Sequence, residues 1–157
     1  MSFQLYFMNK DFDVWNRQKK SLDSKKNKVS FRDGEVWFAY LGINVGHEQN
    51  GDTQNFLRPV VIKKKLSNSM LLAIPLTTNL KSGRYRLFLG KIGNKKAVAL
   101  IAQMRVIDAK RLKHKIAVLD DVLIKTLKAR IFVVLDCNKV SPQDLNLRGR
   151  GRKFGIS

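Results

Sequence analysis

The stretch Glu35–Lys64, EVWFAYLGINVGHEQNGDTQNFLRPVVIKK, decides the fold. Its two ends, EVWFAYL and RPVVIKK, are aromatic and β-branched, the composition of strands. Between them lies a polar loop that carries His47, Glu48 and the glycines Gly46 and Gly51. The loop enters the second strand through Arg58-Pro59. Proline pushes the backbone of Arg58 into the extended region and offers no amide donor itself, which suits the opening of a strand. Working outward, SMLLAIPLTT (69–78), YRLFLG (85–90) and AVALIAQMRVI (97–107) read as further strands, with the turn signals SNS, KSGR and GNKK between them. Five short strands without intervening helices predict a small, strongly curved antiparallel barrel or sandwich.

Helical patterns flank the strands. KDFDVWNRQKKSLD (10–23) puts Phe12, Trp15 and Leu22 on one helical face, with Asn9 or Asp11 as cap. AKRL (109–112) predicts one helical turn. Asp120 or Asp121 then caps a helix through about Leu135, with Val122, Leu123, Leu127, Ile131 and Val134 at helical spacing. The end, LNLRGRGRKFGIS, interleaves Arg148, Arg150, Arg152 and Lys153 with glycines and could build no core. The expected organisation is a helical extension over 1–30, a barrel domain with a C-terminal helix over 31–136, and a flexible basic tail over 137–157.

At 157 residues, 44% of them apolar, the chain is long enough for one folded domain with one core. Its charge is extreme: 31 Lys and Arg against 12 Asp and Glu give +19. Such a surface attracts polyanions, nucleic acid above all. No apolar run approaches the ~18 residues of a membrane span, and the N-terminus, MSFQLYFMNKDFD, has no secretory pattern. The single cysteine, Cys137, has no intramolecular disulfide partner, and with two histidines it leaves little for a zinc site. The expectation is a cytoplasmic protein without metal or other cofactor.

Arg58, at the seam between loop and strand, could meet a phosphate with two parallel donors, or be a surface arginine in a salt bridge. His47 could exchange a proton during phosphodiester cleavage, or simply hydrogen-bond the loop. Glu48 could serve as a general base or order the loop by pairing with Arg58. Thr77 and Thr78 end an apolar strand, where a hydroxyl could hold a phosphate oxygen, although threonine is also an ordinary strand residue. His114, among lysines, reads as a surface residue. Trp37, Phe38 and Tyr40 alternate along the first strand, so one face is core and the other could stack bases. Together these residues suggest metal-free cleavage of RNA, which carries its own nucleophile in the 2'-OH.

The order GEVWFAYLGINVGHEQNG, RPVVI, AIPLTTNLK, AVALIAQMRVIDAKRL resembles the MazF/PemK (Kid) toxins of toxin–antitoxin systems. The resemblance runs from about Gly34 to about Ile131, apart from a loop insertion, DTQNF, before Arg58. It implies an SH3-like antiparallel β-barrel with a C-terminal helix, working as a homodimer. It also implies an endoribonuclease that cuts single-stranded RNA by 2'-OH attack without a metal, leaving a 2',3'-cyclic phosphate and a 5'-hydroxyl. Arg58 and Thr77 fall on the family's catalytic arginine and threonine, and His47 on a loop histidine that some members carry. Gln49, Asn79, Lys81, Gln103 and Arg105, within the same motifs, are the implied RNA contacts. Some relatives carry an Arg-x-Asp pair just before the glutamine that aligns with Gln103; Leu100 and Ala102 stand there in this chain, which shifts the role of base to Glu48 or His47. The implied partner is an acidic antitoxin segment that competes with RNA for the basic groove.

Two other readings fit the charge. One is a non-catalytic barrel that binds nucleic acid, or a DNA gyrase poison of the same fold, although the final Gly-Ile-Ser departs from the Trp-Gly-Ile ending of such poisons. The other is a structural or ribosomal protein, which accounts for the tail and not for the GHEQ loop.

Overall fold

The structure, a computed structural model, describes residues 10–26 and 29–135. Asn9, Cys137 and the glycine–arginine tail lie outside the described residues. The chain runs α1 (Phe12–Asp23), β1 (Glu35–Tyr40), β2 (Leu57–Lys65), β3 (Met70–Thr77), β4 (Arg86–Ile92), β5 (Lys95–Leu100), β6 (Arg105–Asp108), β7 (Leu112–Val118) and α2 (Asp121–Val134), with 3-10 turns at Ile101–Gln103 and Ala109–Arg111. Seven strands pair in the order β4-β5-β3-β2-β1-β7, with β6 also on β3. Every pairing is antiparallel. Bulges in the β1–β7, β2–β3 and β4–β5 ladders bend the strands into the small curved barrel that the sequence implied.

The centre is apolar on both faces of the sheet. Trp37, Val60, Ile62, Leu71 and Ala73 pack in one layer with Phe31 and Leu112. Val36, Val61, Ile74 and Leu76 pack in the other with Leu89, Ala99 and Leu127 of α2. Strands buried on both faces read as near-continuous apolar runs, which is why β1, β2 and β3 were plain in the sequence.

The segment 97–107 is not one strand. β5 and β6 both lie along β3, with pairs Leu76↔Ala99 and Ala73↔Arg105, and the 3-10 turn Ile101–Gln103 breaks the chain between them. Pro75 falls at this change of partner, between Ala73, which pairs with β6, and Leu76, which pairs with β5. β7 was not expected at all. Lys113, His114 and Lys115 all face water there, so no alternation marks the segment, and the lysines guard a sheet edge. Phe12 does not join Trp15 and Leu22 in the interface of α1; it is 49% exposed. Val122 is likewise 71% exposed, and α2 packs instead through Leu123, Ile124, Leu127, Ile131 and Val134. Asp11 caps α1 at Val14 N, and Asp120 caps α2 at Leu123 N. Gly34 takes φ +82, a conformation that favours glycine, as the chain enters β1 beside Ile124 of α2.

Glu35 ties β1 to its neighbours. Its Oε2 accepts from Trp37 Nε1 (2.8 Å) and Arg32 N (3.1 Å), and its Oε1 from Lys115 Nζ (3.3 Å). Burial pushes its pKa up, but these donors outweigh burial and hold the carboxyl below the ordinary glutamate value. A carboxylate depressed in this way stabilises the fold above the unfolded pKa, and that stability is lost as pH falls through the folded value. Glu35→Gln is therefore expected to destabilise the protein by about 1–3 kcal/mol at pH 7. The difference from wild type should shrink below the carboxylate range, and urea midpoints at neutral and acid pH measure it.

Candidate active site

The loop between β1 and β2 closes through its own backbone. Gly51 N donates to Gly42 O (2.8 Å), Gly42 N to Phe56 O (3.1 Å) and Asp52 N to Leu57 O (2.7 Å). Asn44 fastens the neck from within: its N–H donates to Asn50 Oδ1 (2.7 Å) and its Nδ2 to Gln49 O (2.9 Å). Gly51 must be glycine, since a Cβ would lie 2.0 Å from Phe56 O. The DTQNF segment folds as a compact turn in which Asp52 Oδ1 accepts from the amides of Gln54 and Asn55. Phe56 ends it at φ +61, the sole non-glycine residue with positive φ among the described residues.

This closed loop delivers Arg58 half-buried at the start of β2. Its Nε donates to Asn50 O, and its Nη1 donates to Leu76 O at 3.0 Å. Burial lowers the guanidinium pKa, partly offset by the negative charge of Asp52. Arginine remains charged through such shifts, so the result is a cation with part of its hydration removed and its plane fixed by two carbonyls. It lines a groove of about 460 Å³ together with Asp52, Thr77, Thr78, Lys95 and Lys96. Phe38, Pro59, Ile92 and Ile116 make the apolar part of the wall. Thr77 Oγ1 accepts from Asn79 N (3.2 Å), which leaves its O–H able to donate.

The expected site residues thus fall into separate groups. Arg58 and Thr77 share the groove. His47 and Glu48 sit on an exposed bend and do not line it. Glu48 does not pair with Arg58 as one reading expected; the carboxylate acting on Arg58 is Asp52, and Glu48 acts on Arg105. Gln103 and Arg105 hold the loop backbone: Gln103 Oε1 accepts from Gln49 N (3.0 Å), Gln103 Nε2 donates to His47 O (3.1 Å), and Arg105 Nη2 donates to Gln49 O (3.0 Å). Asn79 and Lys81 lie in the turn after β3, where Arg86 Nη1 binds both of their carbonyls (3.2 Å each). Leu100 is buried and Ala102 exposed. Phe38 packs against His114 on the neighbouring strand, with ring centroids 5.0 Å apart. Sequence reasoning missed Asp52, Lys95 and Lys96. Asp52 was taken only as part of an insertion, and the two lysines only as part of the GNKK turn.

Among the described residues, no group of three or more His, Cys, Asp or Glu could hold a metal ion. No helix there is long and apolar enough to cross a membrane.

The profile of a family described as PemK-like, MazF-like toxin of type II toxin-antitoxin system matches residues 32–135. Among solved structures, the chain is similar to MazF of Deinococcus radiodurans, with a TM-score of 0.57 and 17% identity over 69% of this chain and 98% of that one. It is similar to the toxin MazF-mt6 of Mycobacterium tuberculosis, with a TM-score of 0.52 and 17% identity over 65% and 96%. A third is an endoribonuclease from a mycobacterial species in complex with its cognate antitoxin, with a TM-score of 0.52 and 11% identity over 68% and 96%. At such identities the structural likeness is one of fold.

The two-carbonyl clamp predicts a structural cost for replacing Arg58. Arg58→Met leaves Asn50 O and Leu76 O without their donor and should destabilise the fold by about 1–3 kcal/mol. Arg58→Lys should recover less than half of that loss, because an ammonium lacks the planar fork that reaches both acceptors. Urea midpoints of the three proteins measure both effects.

Proposed function

The chain belongs to the PemK-like, MazF-like toxins of type II toxin–antitoxin systems, and from that premise we propose that it is an endoribonuclease that cuts single-stranded mRNA and so stops translation and growth. The observation that carries this reading is Arg58, half-buried and clamped beside Thr77 in a groove rimmed by Lys95 and Lys96. A binding surface needs only exposed cations. A desolvated, oriented guanidinium is suited to charge that develops during a reaction.

The 2'-oxygen of the substrate attacks the adjacent phosphorus. A base takes its proton, the bond from phosphorus to the 5'-oxygen breaks, and that oxygen takes a proton as it leaves. The products are a 2',3'-cyclic phosphate and a 5'-hydroxyl. Arg58 stabilises the negative charge gathering on the non-bridging oxygens, its partial burial strengthening that attraction, and the leaving 5'-oxygen takes its proton from water. The O–H of Thr77 donates to the same phosphate. His47 or Glu48, on the loop bend, supplies the base. Gln49, Asn79 and Lys81 contact the flanking nucleotides, with Gln103 and Arg105 acting through the loop backbone that they hold. Two chains form the working homodimer in the cytoplasm, and an acidic antitoxin neutralises it by occupying the basic groove. That a similar fold is known with its cognate antitoxin supports the last point.

A long single-stranded RNA incubated in EDTA is expected to give discrete fragments with cyclic-phosphate ends. Arg58→Ala should slow their appearance by about 10²–10³-fold. Binding without cleavage, unchanged by the substitution, would make the protein a non-catalytic nucleic-acid-binding barrel. RNA affinity is also expected to fall steeply between about 50 and 200 mM salt, as measured by filter binding. A flat salt profile would sink the electrostatic part of this reading.

A further inference from the structure

α1 lies outside the residues that match the toxin family, yet it packs on the loop that leads to Arg58. The Trp15 ring covers Gly42 so closely that a Cβ there would come within 1.9 Å of Trp15 Cε2. The same ring meets Phe56, the last residue of the DTQNF segment, with centroids 5.3 Å apart, and the Arg111 guanidinium lies 5.6 Å from its centroid. Ahead of the helix, Lys10 Nζ donates to Asn44 O (2.7 Å) and Gly46 O (3.2 Å). Behind it, Lys110 Nζ donates to Asp23 O (2.6 Å). The helix and the DTQNF segment thus pack on one another.

The loop is consequently held from two sides. Lys10 binds the carbonyls of residues 44 and 46 from outside, while Gln103 and Arg105 bind the backbone of residues 47 and 49 from the barrel. Ordering a loop costs about 1–2 kcal/mol per residue. Where folding has already met that cost, substrate binding does not have to.

We infer that α1 is a brace that fixes the His47–Gln49 bend in one conformation, and that Lys10 is a positioning residue through which this extension sets the turnover and sequence selectivity of RNA cleavage. The second half rests on the reading of the protein as a ribonuclease. The first half does not.

The test uses the full chain as wild type, Lys10→Ala and Lys10→Arg. Lys10 lies ahead of α1 and outside every strand, and its Nζ bonds run to loop carbonyls, so its loss is expected to spare the barrel. Hydrogen exchange followed by mass spectrometry is expected to show amides of residues 43–50 exchanging about tenfold faster in Lys10→Ala. Peptides from β2, β3 and α2 should remain unchanged, and Lys10→Arg should restore protection. On a long RNA, Lys10→Ala should lower kcat and cut at sequences that the wild type ignores, again with recovery in Lys10→Arg. Unchanged loop exchange overturns the brace, whatever happens to RNA. Faster exchange with an unchanged kcat and cut pattern overturns the positioning role. A wild type that cuts no RNA overturns the ribonuclease reading, while the exchange result still decides whether α1 braces the loop.

Discussion

A guanidinium drawn half out of water has to be met by acceptors, and for Arg58 these are the carbonyls of Asn50 and Leu76. Much else follows from this pair of bonds. Asn50 belongs to the loop and Leu76 to the central strand β3, so the arginine staples the loop to the barrel. The geometry that satisfies Arg58 also places Asp52 and Leu57, at the end of the loop, in the groove that Thr77 lines. Burial leaves the cation less hydrated, which strengthens its attraction for an anion entering the groove.

The barrel is shaped to supply that position. β3 takes β6 and β5 in succession along one edge, and the 3-10 turn between them lets the β4–β5 hairpin leave the main sheet. That departure brings Lys95 and Lys96 to the groove that Arg58 lines, among apolar side chains. Charge elsewhere on the molecule serves attraction at a distance, whereas these two lysines serve it at the groove itself.

The sequence conveyed elements that carry their own local signal and missed those imposed from afar. β1, β2 and β3 were legible because their apolar runs state their burial. β7 was not, since Lys113, His114 and Lys115 expose it as an edge and only its pairing with β1 makes it a strand. The break at Ile101–Gln103 was hidden by apolar residues that continue straight through it; the need to turn there comes from β3. Arg58 and Thr77 could be placed at strand ends that meet. Asp52, Lys95 and Lys96 could not, because their presence in the groove depends on how a hairpin folds over a different part of the chain. His47 and Glu48 looked like groove residues from their loop composition, but the bend that Gln103 and Arg105 hold by its backbone leaves both exposed and out of the groove lining.

The contact of Trp15 with Gly42 limits what position 42 can hold. A side chain at position 42 would exclude the indole, and without the indole nothing on that face asks for a glycine beyond the turn itself. Glycine here meets two demands at once: φ +75 favours it whatever packs nearby, and the missing Cβ makes room for the indole. The second residue after the first strand is thus the point at which a side chain would exclude such an extension from the barrel.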